Sequence, residues 1–538
     1  MLLILSAATV GEDIAQQFGR LPPSFLPLGK QRLFSIQHAE MARDEPCAMT
    51  VPEGYAISAT DQQALDAAGI QLLPQPAGLR LTEAIGNALT RIRPKDGLRV
   101  LYGDTLVRMD CAVIHQPDLV AVQDTTANYP WAFVRADDEG GPTFSDDPPQ
   151  KLDLRKVVCG YYHFSDPDLL AAACHEESIV KALRFYNLRR PLRCIDAQTW
   201  FDFGHLPMYF RSKKDLLVKR VFNELVYEDH LLIKRSLDTG KMRAEAHWFE
   251  NLPKALQLHV PRYCGRHEKD HRAGYALEYL YTPLLSDIAV FGALPLASWL
   301  EIIQGCFDLL GKLHAIRPPA GAPEASPAFA KQFFQDVFVG KTWSRLEEYC
   351  AQSGFALNAA VTLNGRTCPP LHDVVKQLIA RIPPTRPEHV RFWHGDLFFG
   401  NMFYDFTAQR VLCIDPRGQL SSGQLCLWGD LRYDLAKLAH SIIGQYDKIL
   451  LGRSRLVERA PLDWQIEIDA QQHQDKIEAI FMRFVAEHYG VEPDELLAMT
   501  ALLFLSMLPL HHDNPGLQRH FLANGLRLAE LIWQEDTA

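Results

Sequence analysis

The chain opens on an unbroken apolar run, Leu2-Leu3-Ile4-Leu5, and similar short runs recur down to about residue 211. Arg99 to Leu101, Leu119 to Val122, Trp131 to Val134 and Val157 to Phe164 read as strands, whereas Thr82 to Arg93 has the spacing of a helix. Short strands interleaved with helices predict an α/β sheet. After Ser212-Lys213-Lys214-Asp215 the texture changes. Short strands are expected around Val218 to Phe222 and His230 to Lys234, followed by one helix and, from about Leu296, a long and mostly helical region. The pattern thus divides the chain into a sheet domain at 1–211, a small mixed lobe at 212–282 and a largely helical lobe at 283–538. Pro318 to Pro323 and Pro383 to Pro387 read as loops inside the last of these.

Composition agrees with several cores. A chain of 538 residues, 47% of them hydrophobic, exceeds the usual single domain. Its net charge of −10 supplies no global positive field, so nucleic acid is not expected as a partner. Eleven cysteines without a CxxC pair describe neither a disulfide framework nor a zinc site, which fits a reducing cytoplasm. Met1 to Leu5 lacks a basic leader and is too short for a signal peptide core. The most apolar stretch, Leu497 to Leu510, falls short of a membrane span and contains Pro509, so a buried helix is expected and no span.

Candidate chemistry concentrates at His394-Gly395-Asp396-Leu397-Phe398-Phe399-Gly400-Asn401 and at Ile414-Asp415. Phosphoryl transfer needs a carboxylate to orient the attacking group, oxygen ligands for Mg²⁺ and a cation on the phosphates. Asp396 can aim at an acceptor hydroxyl while Asn401, five residues on, turns to a metal, and Asp415 closes the apolar strand Val411 to Ile414. Upstream, Lys234 ends the strand His230 to Ile233. Met242, Glu245, Phe249 and Leu252 follow at helical spacing, which puts Glu245 on an inward, apolar face where it needs a partner. Lys234 is the expected partner of Glu245, with Glu250 as the alternative. Taken singly, each of these residues also reads as an ordinary turn or edge-strand residue.

Together they resemble the aminoglycoside phosphotransferase and choline kinase family, over roughly residues 215 to 538. The resemblance implies a two-lobed, protein-kinase-like α+β fold with Asp396 as catalytic base, Asn401 and Asp415 as Mg²⁺ ligands, and Lys234 with Glu245 positioning the phosphates of ATP. It makes Glu278-Tyr279-Leu280 the hinge whose backbone, at Glu278 and Leu280, meets adenine. Gly429 to Leu435 is similar to the family's post-metal helix start, where structural roles are expected. Two departures stand out. Val221-Phe222-Asn223-Glu224-Leu225 replaces a glycine-rich phosphate loop. Arg417 follows Asp415 in Pro416-Arg417-Gly418, where it is expected either to grip an anionic acceptor bidentately or to pair with an acidic neighbour.

In the N-terminal region, Asp104 sits at a strand end and Asp202 lies in Trp200-Phe201-Asp202-Phe203-Gly204. Ligands bind at the carboxyl ends of strands in open α/β sheets, so these two aspartates could share a Mg²⁺. Leu26 to Lys30, Gln75 to Leu79, Tyr102 to Asp104, Val158 to Phe164 and Trp200 to His205 occur in the order found in sugar-phosphate nucleotidyltransferases, which residues 1 to 210 resemble. The resemblance implies a Rossmann-like sheet of the GT-A type with Asp104 and Asp202 as metal pair. It also sets Gln75 and Gly78 near the base of CTP or another NTP, and Gly160 near the acceptor. The family's glycine-rich first loop, its arginine and its lysine are missing here; Arg20, Lys30 and Arg32 are the substitutes in reach of the sequence. The whole reads as a bifunctional protein that phosphorylates a small hydroxyl compound, a sugar, polyol or amino alcohol, and then activates it for bacterial surface polysaccharide. A kinase with a non-catalytic sugar- or nucleotide-binding domain is the alternative, and a pseudoenzyme scaffold a further one.

Overall fold

The computed structural model describes residues 1–136, 141–147, 155–218, 225–269 and 271–535. They divide into two compact units, Met1–Leu217 with Phe291–Ala293, and Val218–Val290 with Leu294–Ala538. The expected strand around 218–222 and the stretch replacing the phosphate loop lie largely outside the described residues.

In the first unit Leu98–Tyr102, Leu2–Leu5, Cys47–Pro52 and Ile70–Gln75 lie side by side and parallel. Arg155–Phe164 extends this mixed sheet antiparallel to Leu98–Tyr102. Leu2 to Leu5 are all buried, as their continuous apolarity requires of a central strand. The helix Leu81–Ile92 covers the sheet with Ala84, Ile85, Ala88 and Leu89, the stripe that made it legible. A separate two-stranded ribbon pairs Thr105–Arg108 with Thr199–Asp202, in the register Asp202 to Thr105. The ribbon brings two distant aspartates, Asp104 and Asp202, together. The unit boundary comes after 211 because the helix Leu206–Val218 runs unbroken through Ser212. Ser212 is buried and donates its hydroxyl to the Asp202 carbonyl at 2.8 Å, which ties this helix to the first unit.

The second unit begins with a four-stranded antiparallel sheet in the order Leu225–Glu228, Leu231–Ser236, Ala273–Glu278 and Tyr263–Arg266, packed on the helix Thr239–Glu250. A helical body follows, built on Leu296–His314, Leu431–Ile442, Pro493–Ser506 and Pro515–Glu535. Leu497 to Ser506 belong to the buried helix Pro493–Ser506, while Leu508–His511 forms a separate turn with Leu510 exposed, and among the described residues no helix is long and apolar enough to cross a membrane. The largely helical region also contains strands that its pattern did not predict. Ser454–Ala460 and Asp463–Ile468 form a hairpin that joins Thr362–Leu363 in a second four-stranded sheet.

Candidate functional site

The loop that carries Asp396 is shaped from below by a helix. Asp434, on Leu431–Ile442, is fully buried, and its two carboxylate oxygens accept the backbone N–H groups of His394 at 2.9 Å and Gly395 at 2.8 Å. Gly395 makes the turn at φ +78°, a conformation that suits glycine, and a Cβ there would stand 2.8 Å from the Arg417 side chain. Asp396 emerges half-exposed. Asn401 donates its amide to the Asp396 carbonyl at 3.0 Å and to its carboxylate at 3.2 Å. Lys437, one helical turn beyond Asp434, reaches the other carboxylate oxygen at 2.8 Å. Burial works to raise the pKa of Asp396, but Lys437, with help from Arg417 and His394, holds it down at about 2. Asp396 is therefore ionised at any physiological pH.

Backbone hydrogen bonds lock this loop to the segment that follows the strand Arg410–Cys413 and bears Asp415. Ile414 donates to the Asn401 carbonyl at 3.0 Å and Arg417 to that of His394 at 2.8 Å. Asp415 itself adopts φ +58°, left-handed backbone uncommon outside glycine and often found at functional positions. Lys234 Nζ bridges two carboxylates, Glu245 Oε2 at 2.8 Å and Asp415 Oδ2 at 3.0 Å. Glu245 is 1% exposed and also accepts the Tyr275 hydroxyl at 2.7 Å, while Glu250 is taken by Arg266 at 2.7 Å. Burial lowers and the two carboxylates raise the pKa of Lys234, with a net rise. Burial, with the Asp415 charge, leaves Glu245 above its ordinary value against the pull of Lys234. Lys234→Met would strand both carboxylates; the expected loss in kcat/KM for ATP is about 10²-fold, read from steady-state ADP formation.

At the hinge position, Glu278 ends its strand and its N–H is spent on the Arg262 carbonyl at 2.9 Å. Tyr279 donates to His230 at 3.0 Å, whereas no backbone hydrogen bond of Leu280 occurs among the described residues.

Arg417 makes no ion pair with a carboxylate among the described residues; it stacks on Trp393 and Tyr433, with its guanidinium carbon 5.5 Å and 5.3 Å from the two ring centroids. Sequence reasoning expected structural roles for Gly429 to Leu435, the stretch of Tyr433 and of Asp434, which supports the loop; it missed Lys437, Lys341 and Arg345. A signal existed for the last two, cations four apart beside the buried stripe Thr342, Leu346 and Tyr349 of the helix Lys341–Ser353.

In the first unit Asp104 and Asp202 meet as the ribbon dictates. Phe203 donates to the Asp104 carbonyl at 2.8 Å, and Asp202 accepts the Gly204 N–H at 2.8 Å and the His205 ring at 2.9 Å. Burial, with the Asp202 charge second, pushes the Asp104 carboxyl up to about 6. Burial lowers the pKa of His205, but Asp202 outweighs it and the net shift is upward. Among the described residues no three His, Cys, Asp or Glu side chains gather as a cation cage. Gly160 sits at φ +77° where the strand bulges between Val158 and Tyr162, with the Tyr102 ring 2.7 Å from where a Cβ would be. Gln75 is buried and donates to the Ala84 carbonyl at 2.9 Å, while Gly78 is exposed in its turn. Of the three substitute cations, Arg32 is buried in an ion pair with Asp61 at 2.9 Å and Arg20 pairs with Glu12 at 3.2 Å; Lys30 is exposed.

The raised Asp104 pKa has a signed consequence. With about 6 in the folded chain against an ordinary 3.8, stability conferred by the protonated acid is fully present below about pH 4 and is lost as pH rises through 6. Asp104→Asn should therefore stabilise the metal-free protein by up to about 3 kcal/mol at pH 8, seen as a higher melting temperature, and leave it unchanged at pH 3.5. Equal effects at both pH values would refute a cost of holding the Asp104 charge in this buried place beside Asp202.

Residues 208–458 match the family described as "Phosphotransferase enzyme family", so this chain is a phosphotransferase enzyme with its phosphotransferase domain in that stretch. No curated protein matches the chain. Among solved structures it is similar to HddC from Yersinia pseudotuberculosis, at 14% identity over 40% of this chain and 98% of that one, with a TM-score of 0.32. The inositol-1-phosphate CTP transferase from T. maritima gives 10% identity over 40% and 95%, with a TM-score of 0.32. The wild-type aminoglycoside 2'-phosphotransferase-IIIa, a GDP complex, gives 12% identity over 62% and 99%, with a TM-score of 0.34.

Proposed function

From a chain whose residues 208–458 carry a phosphotransferase domain, we propose that the second unit is an ATP-dependent small-molecule kinase with Asp396 as its base. The reading rests on one observation, the ionised and half-exposed Asp396 held by Asn401 and Lys437 on a loop hydrogen-bonded to Ile414 and Arg417, on either side of Asp415. The acceptor hydroxyl oxygen attacks the γ-phosphorus of ATP, the bond to the β–γ bridging oxygen breaks, ADP leaves, and the hydroxyl proton passes to Asp396 and on to water. Lys234, fixed by Glu245, positions the α- and β-phosphates. The Leu280 peptide and the neighbouring Glu278 carbonyl suit adenine. Asn401 and Asp415 fit a Mg²⁺: Asn401 spends its N–H groups on Asp396 and keeps its amide oxygen as a ligand. Bound there, Mg²⁺ would neutralise charge on the transferring phosphates.

A second reading concerns the first unit, and the meeting of Asp104 and Asp202 favours it. Two buried-side carboxylates held together at a cost in charge repulsion are a donor set for a divalent cation, as nucleotidyl transfer from CTP or another NTP requires. The protein would then phosphorylate a sugar, polyol or amino alcohol and activate the product in the bacterial cytoplasm for capsule or lipopolysaccharide. Against this, Arg32 and Arg20 are engaged elsewhere, which favours a binding domain without catalysis. ATP·Mg²⁺ offered with candidate acceptors, then CTP, GTP, UTP and dTTP, separates the readings. ADP marks the kinase, pyrophosphate marks the first unit, and failure to bind MgATP would make the chain a scaffold.

A further inference from the structure

Beside Asp396, cations outnumber their carboxylates. Lys341 Nζ lies 2.8 Å from the Tyr433 hydroxyl and 4.9 Å from its ring centroid. An Arg417 nitrogen lies 3.4 Å from the same hydroxyl. Arg345, one turn after Lys341, donates to the Ser506 carbonyl at 3.1 Å. Lys437 completes the group with the Asp396 carboxylate. Among the described residues no carboxylate ion-pairs with Lys341, Arg345 or Arg417, and Tyr433, their common neighbour, is only 2% exposed.

Leaving several cations this poorly compensated in a half-buried place is unfavourable. The surroundings register the imbalance. Burial, then Arg417 and Arg345, push the Lys341 ammonium down to about 8, and although burial works to raise Tyr433, Arg417, Lys341 and Lys437 draw it down to about 6. A short π-helical segment, Gln335–Gly340, directly precedes Lys341 in an otherwise α-helical run. Such segments re-aim the residues after them and recur at functional sites.

We propose that Lys341, Arg345 and Arg417 form the acceptor subsite and that the acceptor is a hydroxyl compound already bearing an anionic group, a phosphate monoester or a carboxylate. The inference rests on the kinase reading, for Asp396 beside the cluster would take the proton of that compound's hydroxyl. Tyr433 and Trp393 hold the Arg417 guanidinium flat, which presents its edge for bidentate capture of planar or tetrahedral oxyanions. The phosphates of ATP have their own cation in Lys234.

The test uses the full chain with ATP·Mg²⁺ and matched acceptors: glycerol, glycerol phosphate and glycerate, then a hexose, its 6-phosphate and its uronic acid. The anionic member should be preferred at least about 10-fold in kcat/KM, and the phosphate and carboxylate arms identify which anion is taken. Lys341→Met and Arg345→Met should each raise KM for it about 10- to 100-fold without moving KM for ATP, and Lys341→Arg should restore it. Preference for the neutral member, or a rise in KM for ATP instead, overturns the inference. Calorimetry in the presence of MgADP gives an independent readout, with melting curves checking that the variants fold. Glycerol phosphate or glycerate binding that the double variant loses, with no ADP formed from any acceptor, would sink the kinase reading and leave the anion site standing. No anion binding by the wild type, with ADP formed from neutral acceptors, sinks the anion site alone.

Discussion

Asp396→Asn is expected to lower the rate of ADP formation by about 10³-fold or more while changing KM for ATP only a few-fold. Asparagine keeps the shape and loses the charge that takes the acceptor's proton. The wild-type carboxylate titrates near 2 because Lys437 and Arg417 outweigh its burial, so loss of activity on mild acidification, between pH 7 and 5, should not trace to this residue. Because the two units are separate compact bodies, any pyrophosphate release from an NTP should persist in the variant. Measured by coupled ADP detection and a separate pyrophosphate assay, residual ADP formation within 10-fold of wild type would remove Asp396 as the base. Loss of both activities together would argue against two independent sites.

What could be read from the sequence follows from how local each signal is. Leu2–Leu5 and Leu81–Ile92 declare themselves by continuous apolarity and by helical spacing, and both stand in the structure. Glu245 was legible because an acid on an apolar stripe demands a cation, and Lys234 lies 2.8 Å away. The hairpin Ser454–Ala460 with Asp463–Ile468 was not, since its first strand is studded with Arg455, Glu458 and Arg459 and its second pairs with distant Thr362–Leu363. The same limit hid Lys437 and Lys341. Their meaning depends on Asp396 and Tyr433, which lie 41 and 92 positions away in the chain and come close only through tertiary packing. The boundary near 212 was drawn on a change of texture, whereas the continuity of Leu206–Val218 carries the first unit a little further.

Asp434→Ala is expected to be the most damaging substitution outside the residues that touch substrate. Asp434 is fully buried, and its carboxylate is the acceptor for the N–H groups of both His394 and Gly395. Removing it leaves two buried donors without partners at about 1–3 kcal/mol each, so the second unit should lose about 2–6 kcal/mol, seen as a lower midpoint in urea. Catalysis should suffer too, because those two peptides set the turn that delivers Asp396, and a displacement of about 1 Å there is worth roughly 10²-fold in rate. Asp434→Asn divides the two effects. Its amide oxygen can satisfy one N–H while its NH₂ opposes the other, so it should recover part of the stability and little of the rate. Full activity in the alanine variant would show that the loop holds its shape without this carboxylate, and the assignment of Asp434 as its support would fall.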